Sequence, residues 1–126
     1  MDRSLDSHAD SDTSKRRHSD AGVAPIRTMI RMGKRSVERK LRKTSARLRE
    51  LRIELVVIDE QLAHLIEDAE DKSLRALVAE NPAAAIEHRE AAGHSEAMAE
   101  HRRHVVAEIG TLESRQDELL DELRLL

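Results

Sequence analysis

From about residue 34 the chain repeats every seven residues. Leu41, Leu48, Leu55, Leu62, Ala69 and Ala76 form one row, and Thr44, Leu51, Ile58, Leu65 and Lys72 form a second row three positions later. Apolar side chains spaced alternately by three and four residues lie along one edge of an α-helix, the a/d seam of a coiled coil. A second pair of rows follows Pro82. It runs Ala84, Ala91, Met98, Val105, Leu112, Leu119 and Leu126, with His88, Ser95, Arg102, Ile109, Gln116 and Leu123 beside them. The pattern predicts an all-α chain of two helices of about 45 residues each, or roughly 68 Å at the standard helical rise.

The sequence "VAENPAAA" at residues 78–85 decides how the two helices are connected. Asn81 is a favoured N-cap, and Pro82 suits a first helical turn, where its missing N–H removes no hydrogen bond. "NP" therefore starts a second helix instead of kinking one long helix. If the chain folds back at this point, a positions of one helix face d positions of the other, and the residue numbers of facing pairs share one sum. They do: Leu41 with Leu119, Leu48 with Leu112, Leu55 with Val105, Leu62 with Met98, Ala69 with Ala91 and Ala76 with Ala84 all give 160, as do Val37 with Leu123 and Leu51 with Ile109. The midpoint of that register is residue 80, next to the cap. Heptad phase and cap chemistry thus agree on an antiparallel two-helix coiled-coil hairpin over 36–126, with its turn near 77–81.

The layers of this hairpin differ in size. Large aliphatic residues fill the end far from the turn, whereas alanines near the turn bury little, and Lys72 with His88 and Ile58 with Arg102 place polar groups in the seam. Gly93 and Gly110 each weaken the second helix by about 1 kcal/mol relative to Ala, and because its alanine layers bury little the turn end is expected to be the softer end. A further set of apolar residues lies off the seam. Ile53, Val56 and Val57 occupy outward heptad positions, and Leu74, Leu77, Val78 and Ile86 form a similar group near the turn. A lone two-helix hairpin is marginal at this size, so these side chains are expected to pack on a second copy, giving a homodimer and a four-helix bundle, or on another protein.

Composition narrows the classes further. Among 126 residues there is no Phe, Tyr, Trp or Cys. A chain without aromatic residues lacks the usual filling of a sandwich, barrel or doubly wound core, and one without cysteine has no disulfide or thiolate chemistry. Residues 1–24 carry almost no apolar side chains and are expected to form a disordered tail, in which "RRHS" at 16–19 has the form of a basophilic kinase site. No apolar run approaches the roughly 20 residues of a membrane-spanning helix, and no signal peptide is visible. Seventeen Arg against five Lys, with abundant Ala, suits a high-GC bacterial genome, and the absence of Cys suits a reducing cytoplasm.

Residues 25–35 form a basic, amphipathic lead-in, and the whole stretch 27–52 holds eleven Lys and Arg against Glu38 and Glu50. One expectation is that the second helix neutralises this charge, through pairs such as Lys40 with Glu122 and Arg52 with Glu113. The other is that Arg27, Arg31, Lys34 and Arg35, beyond the reach of that register, contact nucleic acid, a component of RNA polymerase or another acidic surface. Stacking on single-stranded bases is excluded, because no aromatic side chain exists to do it. Histidines invite a metal reading, with His64 and Glu67, or Glu100, His101 and His104, as ligand pairs, but the heptad places most of them outward and not convergent. There is no phosphate loop, nucleophile elbow or pair of seam carboxylates. No catalytic residue and no cofactor is expected.

Two kinds of helical hairpin are similar in outline. The transcript-cleavage and secondary-channel factors of bacterial RNA polymerase present acidic residues at the tip of an antiparallel hairpin, and "EDAEDK" at 67–72 resembles these in character, although it lies below the expected apex. The sigma-factor-sequestering hairpins of actinomycetes, which bind cyclic di-GMP, are similar in shape. Their ligand pattern needs a Glu four residues before a Ser, which none of Ser45, Ser73, Ser95 or Ser114 has. The sequence thus points to a non-enzymatic protein-interaction or regulatory module, with a nucleic-acid or transcription accessory factor as the alternative and a His/Glu metal-binding bundle as a second alternative.

Overall fold

The computed structural model describes residues 24–126, with side chains from Arg27 onward apart from Ile30. The expected tail, with its "RRHS" motif, lies outside the described residues except for Ala24. Helix α1 spans Ala24–Ala79 and helix α2 spans Pro82–Leu125, 56 and 44 residues, packed against each other with no strand among the described residues. Helix α1 takes in the 25–35 segment without a break. Nothing between Ile26 and Ala79 removes a backbone donor, and Gly33, the one weak helix former there, has open space around its Cα.

The reversal is confined to Glu80 and Asn81. Glu80 adopts φ 47°, and its N–H donates to the Ala76 carbonyl at 3.3 Å. This is the left-handed cap that closes many helices, occupied here by a residue that pays a steric penalty glycine does not. Asn81 then caps α2: its side-chain oxygen accepts from the Ala84 N–H at 2.8 Å, and its carbonyl accepts from Ala85 at 3.3 Å. With Pro82 as the first helical residue, α2 begins as the "NP" pair predicts.

The chain separates into two compact units. One comprises, among the described residues, 24–41 with Leu119–Leu126, and within it Val37 and Leu119 are buried while Leu41 and Leu123 are half-buried. The other is Arg42–Glu118, whose core is Leu48, Leu51, Ile58, Val105 and Ile109, with Leu55, Met98 and Leu112 packed on it. Every member of that core is an a or d residue of the predicted seam. Nearer the turn only Ala91 is fully buried, while Ala69, Ala76, Ala84, Lys72 and His88 are half-buried.

Candidate interaction surface

The seam is made by a and d positions, so the side chains on b, c and f positions of α1 point away from α2. Between Arg42 and Val78 this outward face has four zones in order. Arg42, Lys43 and Arg49 make the first basic, Ile53, Val56 and Val57 the second apolar, Glu60, Glu67, Glu70 and Asp71 the third acidic, and Leu74, Leu77 and Val78 the fourth apolar again. All of these residues are exposed. Ile53 keeps 67%, Val56 60% and Val57 46% of its surface open, and Leu77 and Val78 keep 73% and 86%. Scattered exposed aliphatic residues are ordinary on a protein surface, but two groups repeating the same three heptad positions are a patterned face. Ile86, the α2 member predicted with them, is also exposed. The outward positions of α2 are otherwise mostly polar or small, ending with Leu125.

The flanks of the hairpin set the pairing of the helices. Arg47 donates to Glu108 at 3.3 Å and to Glu50 at 3.2 Å, and His101 lies 3.4 Å from Glu54. Hydrogen bonds to Glu50 first and Glu108 second raise the Arg47 pKa above its ordinary value, so the guanidinium is held firmly charged. On the opposite flank Arg52 reaches Glu113 at 3.8 Å, as expected. Two polar layers also close across the helices. Gln116 donates to the Ser45 hydroxyl at 2.9 Å, and Arg102, facing Ile58 in the seam, turns outward to bind Asp59 at 2.6 Å. Arg102 as a whole stays half-buried and Ile58 opposite it is only 3% exposed, the covering that an arginine's alkyl stem can supply while its head group reaches water. Lys72 escapes the seam in the same manner, toward Asp68 at 3.1 Å. His88 has no such exit: among the described residues its buried Nδ1 has no hydrogen-bond partner.

The expected neutralisation of the basic stretch is only partly found. The predicted pair of Lys40 with Glu122 does not form, and of the eleven cations in 27–52 only Arg47 and Arg52 are in ion pairs among the described residues. The reason is geometric. Arg47 and Arg52 sit at g and e positions bordering the seam, from which a side chain reaches the other helix, whereas Arg35, Arg39, Arg42, Lys43 and Arg49 sit at b, c and f. Lys40 shares the g position of Arg47, and the heptad does not explain why it makes no ion pair among the described residues. Arg27, Arg31, Lys34 and Arg35 are all exposed, interleaved with exposed Met29 and Met32.

The histidine–carboxylate pairs considered as metal ligands stay apart from any third ligand. Among the described residues no group of three or more such side chains converges, and His64, Glu67, Glu100, His101 and His104 are all exposed. Beside the turn an open groove of about 490 Å³ is lined by Leu74, Val78, Ala84, Asp71, Arg75 and Glu87. Arg75 and Asp71, one turn apart on α1, pair with each other at 3.1 Å. Ile66, Val106 and Leu120, to which sequence analysis assigns no role, are also exposed. Their e positions in the heptad were the available signal. No helix among the described residues is long and apolar enough to cross a membrane. Comparison with known protein families, characterised proteins and solved structures found no match for this chain.

Proposed function

We propose that this chain is a non-enzymatic protein-interaction module, a regulatory coiled-coil hairpin of the bacterial cytoplasm whose outward α1 face engages another protein surface. The observation that carries this reading is the exposure of Ile53, Val56 and Val57 on a helix whose seam is already filled. Each buried methylene contributes about 0.8 kcal/mol, so three branched side chains seated together supply a useful anchor for a partner. Leu74, Leu77, Val78 and Ile86 extend the available apolar surface toward the turn. The test is Val56→Glu combined with Val57→Glu, which changes exposed positions and leaves the helical circular-dichroism signal intact. The variant is expected to lose sedimentation mass or to release a partner that co-purifies from the native host. Unchanged mass together with an unchanged set of partners would sink the reading.

A second reading is supported by the nine cations of 27–52 that have no ion-pair partner among the described residues. It is a nucleic-acid-associated or RNA polymerase accessory factor, in which Arg27, Arg31, Lys34 and Arg35 neutralise phosphates or an acidic protein surface. It predicts binding to duplex DNA that weakens steeply with salt and disappears when these four residues are replaced by Ala. Binding that ignores both salt and those replacements would remove it.

A further inference from the structure

The order of zones along the outward face of α1 carries information beyond the presence of an apolar patch. Reading from Arg42, the face is basic, then apolar, then acidic, with the apolar group at its centre. A surface of this kind is complementary to itself when turned end for end. A two-fold axis passing at about residue 55 lays Ile53 of one copy against Val57 of the other, and Val57 against Ile53. In the same turn it brings the basic zone of each copy onto the acidic zone of its mate. We infer that the occupant of this face is a second copy of the chain, with the two α1 helices antiparallel and facing residue numbers adding to 110. This rests on the reading that the outward face is an interface, and adds to it the identity and the register of the partner.

The pairings follow from the heptad. On this face c positions meet f positions, as a meets d in the hairpin's own seam, so Lys43 faces Glu67 and Arg42 lies between Glu67 and Glu70 of the other copy. Arg49 comes beside Glu60. Arg42, Lys43, Arg49, Glu60, Glu67 and Glu70 are all exposed, and among the described residues none of them has an ion-pair partner within its own chain. Glu50, which arrives at the level of Glu60, is already held by Arg47 at 3.2 Å. The interface is isologous, so each favourable pair occurs twice.

Charge also rejects the competing arrangement. The two apolar groups lie three heptads apart, and an axis midway between them would seat Ile53 against Val78 and Val57 against Leu74. That arrangement also sets one acid pair face to face, Glu60 against an Asp71 held by Arg75 at 3.1 Å, but unlike the proposed register it lays acidic zone on acidic zone and leaves Arg42, Lys43 and Arg49 unanswered. Like charges placed opposite each other discriminate strongly between registers, even where exposed pairs add little affinity. In the proposed dimer the aliphatic centre provides the attraction, and the flanking charges fix direction and register.

The experiment is a charge exchange read by sedimentation equilibrium of the full chain at low salt. One variant carries Arg42→Glu and Lys43→Glu, and the other Glu67→Lys and Glu70→Lys. Each alone is expected to weaken self-association about tenfold or more, because both halves of its interface become like-charged. An equimolar mixture is expected to associate nearly as well as the unaltered chain, since every altered site then meets its complement, and raising the salt is expected to shrink the differences. If the unaltered chain is monomeric at every concentration, the face belongs to a different protein and the inference fails, while the proposed function still stands on partner release by the Val56→Glu, Val57→Glu variant. If that variant abolishes a dimer that both charge variants retain, the chain pairs with itself in another register and the inference is equally overturned. A mixture no tighter than its two components also overturns it.

Discussion

Within the Arg42–Glu118 unit the same heptad holds two unlike regions. Around Leu48, Leu51, Ile58, Val105 and Ile109, large aliphatic side chains fill successive layers, and four of these five are at most 4% exposed. Around Ala69, Ala76, Ala84 and Ala91 the layers hold methyl groups, with Lys72 and the unpartnered His88 between them. The periodicity is equally regular in both, so regularity alone does not set stability. What differs is the apolar area each layer removes from water and the number of polar atoms it leaves without a partner. The hairpin therefore holds together away from its turn, and its turn end is kept in place by local caps more than by packing.

Breaking the large-residue region has the largest expected effect. Leu51→Ala removes a side chain that is 1% exposed and is expected to cost about 2–5 kcal/mol in denaturant unfolding. Repairing the small-residue region acts in the opposite direction. His88→Leu exchanges a buried, unpartnered ring nitrogen for an apolar group and is expected to raise stability by about 1–2 kcal/mol, read as an increased denaturation midpoint. At the turn, Asn81→Ala abolishes the 2.8 Å cap to the Ala84 N–H and is expected to cost about 1 kcal/mol, with faster hydrogen exchange confined to the first turn of α2. The smallest effects come from Gly93→Ala and Gly110→Ala. An added Cβ at either position meets nothing within 4 Å, so each is expected to gain somewhat under about 1 kcal/mol in thermal or denaturant unfolding. Should Leu51→Ala cost no more than Asn81→Ala, the distinction between the two regions would collapse.

Much of this was legible in the sequence, for identifiable reasons. The reversal was written twice, once in the heptad phase and once in Asn81 and Pro82, and the core residues follow from the shared sum of 160. The exposure of Ile53, Val56 and Val57 follows from the same phase. Which ions pair was less legible, because long side chains choose among several neighbours. Arg47 takes Glu50 and Glu108 together, and Arg102 leaves the seam for Asp59. Neutralisation of the basic stretch falls short of the charge count on the facing helix because most of its cations sit at b, c and f, away from the e and g positions of Arg52 and Arg47, and even Lys40, at g, makes no pair among the described residues. The left-handed backbone at Glu80 had no signal of its own, since the usual glycine is absent there.

The central claim is that the chain doubles back at Glu80 and Asn81 in a single register. Its most direct test is a spin-label distance between cysteines introduced at Arg49 and Thr111, two exposed positions at the same level of the hairpin in a chain with no native cysteine. With helix axes about 8–10 Å apart, the account predicts a separation of roughly 15–30 Å once label length is included. That distance is to persist when labelled protein is diluted into an excess of unlabelled protein. A separation near 90 Å, as one continuous helix would give, or a short distance that vanishes on dilution, would contradict it.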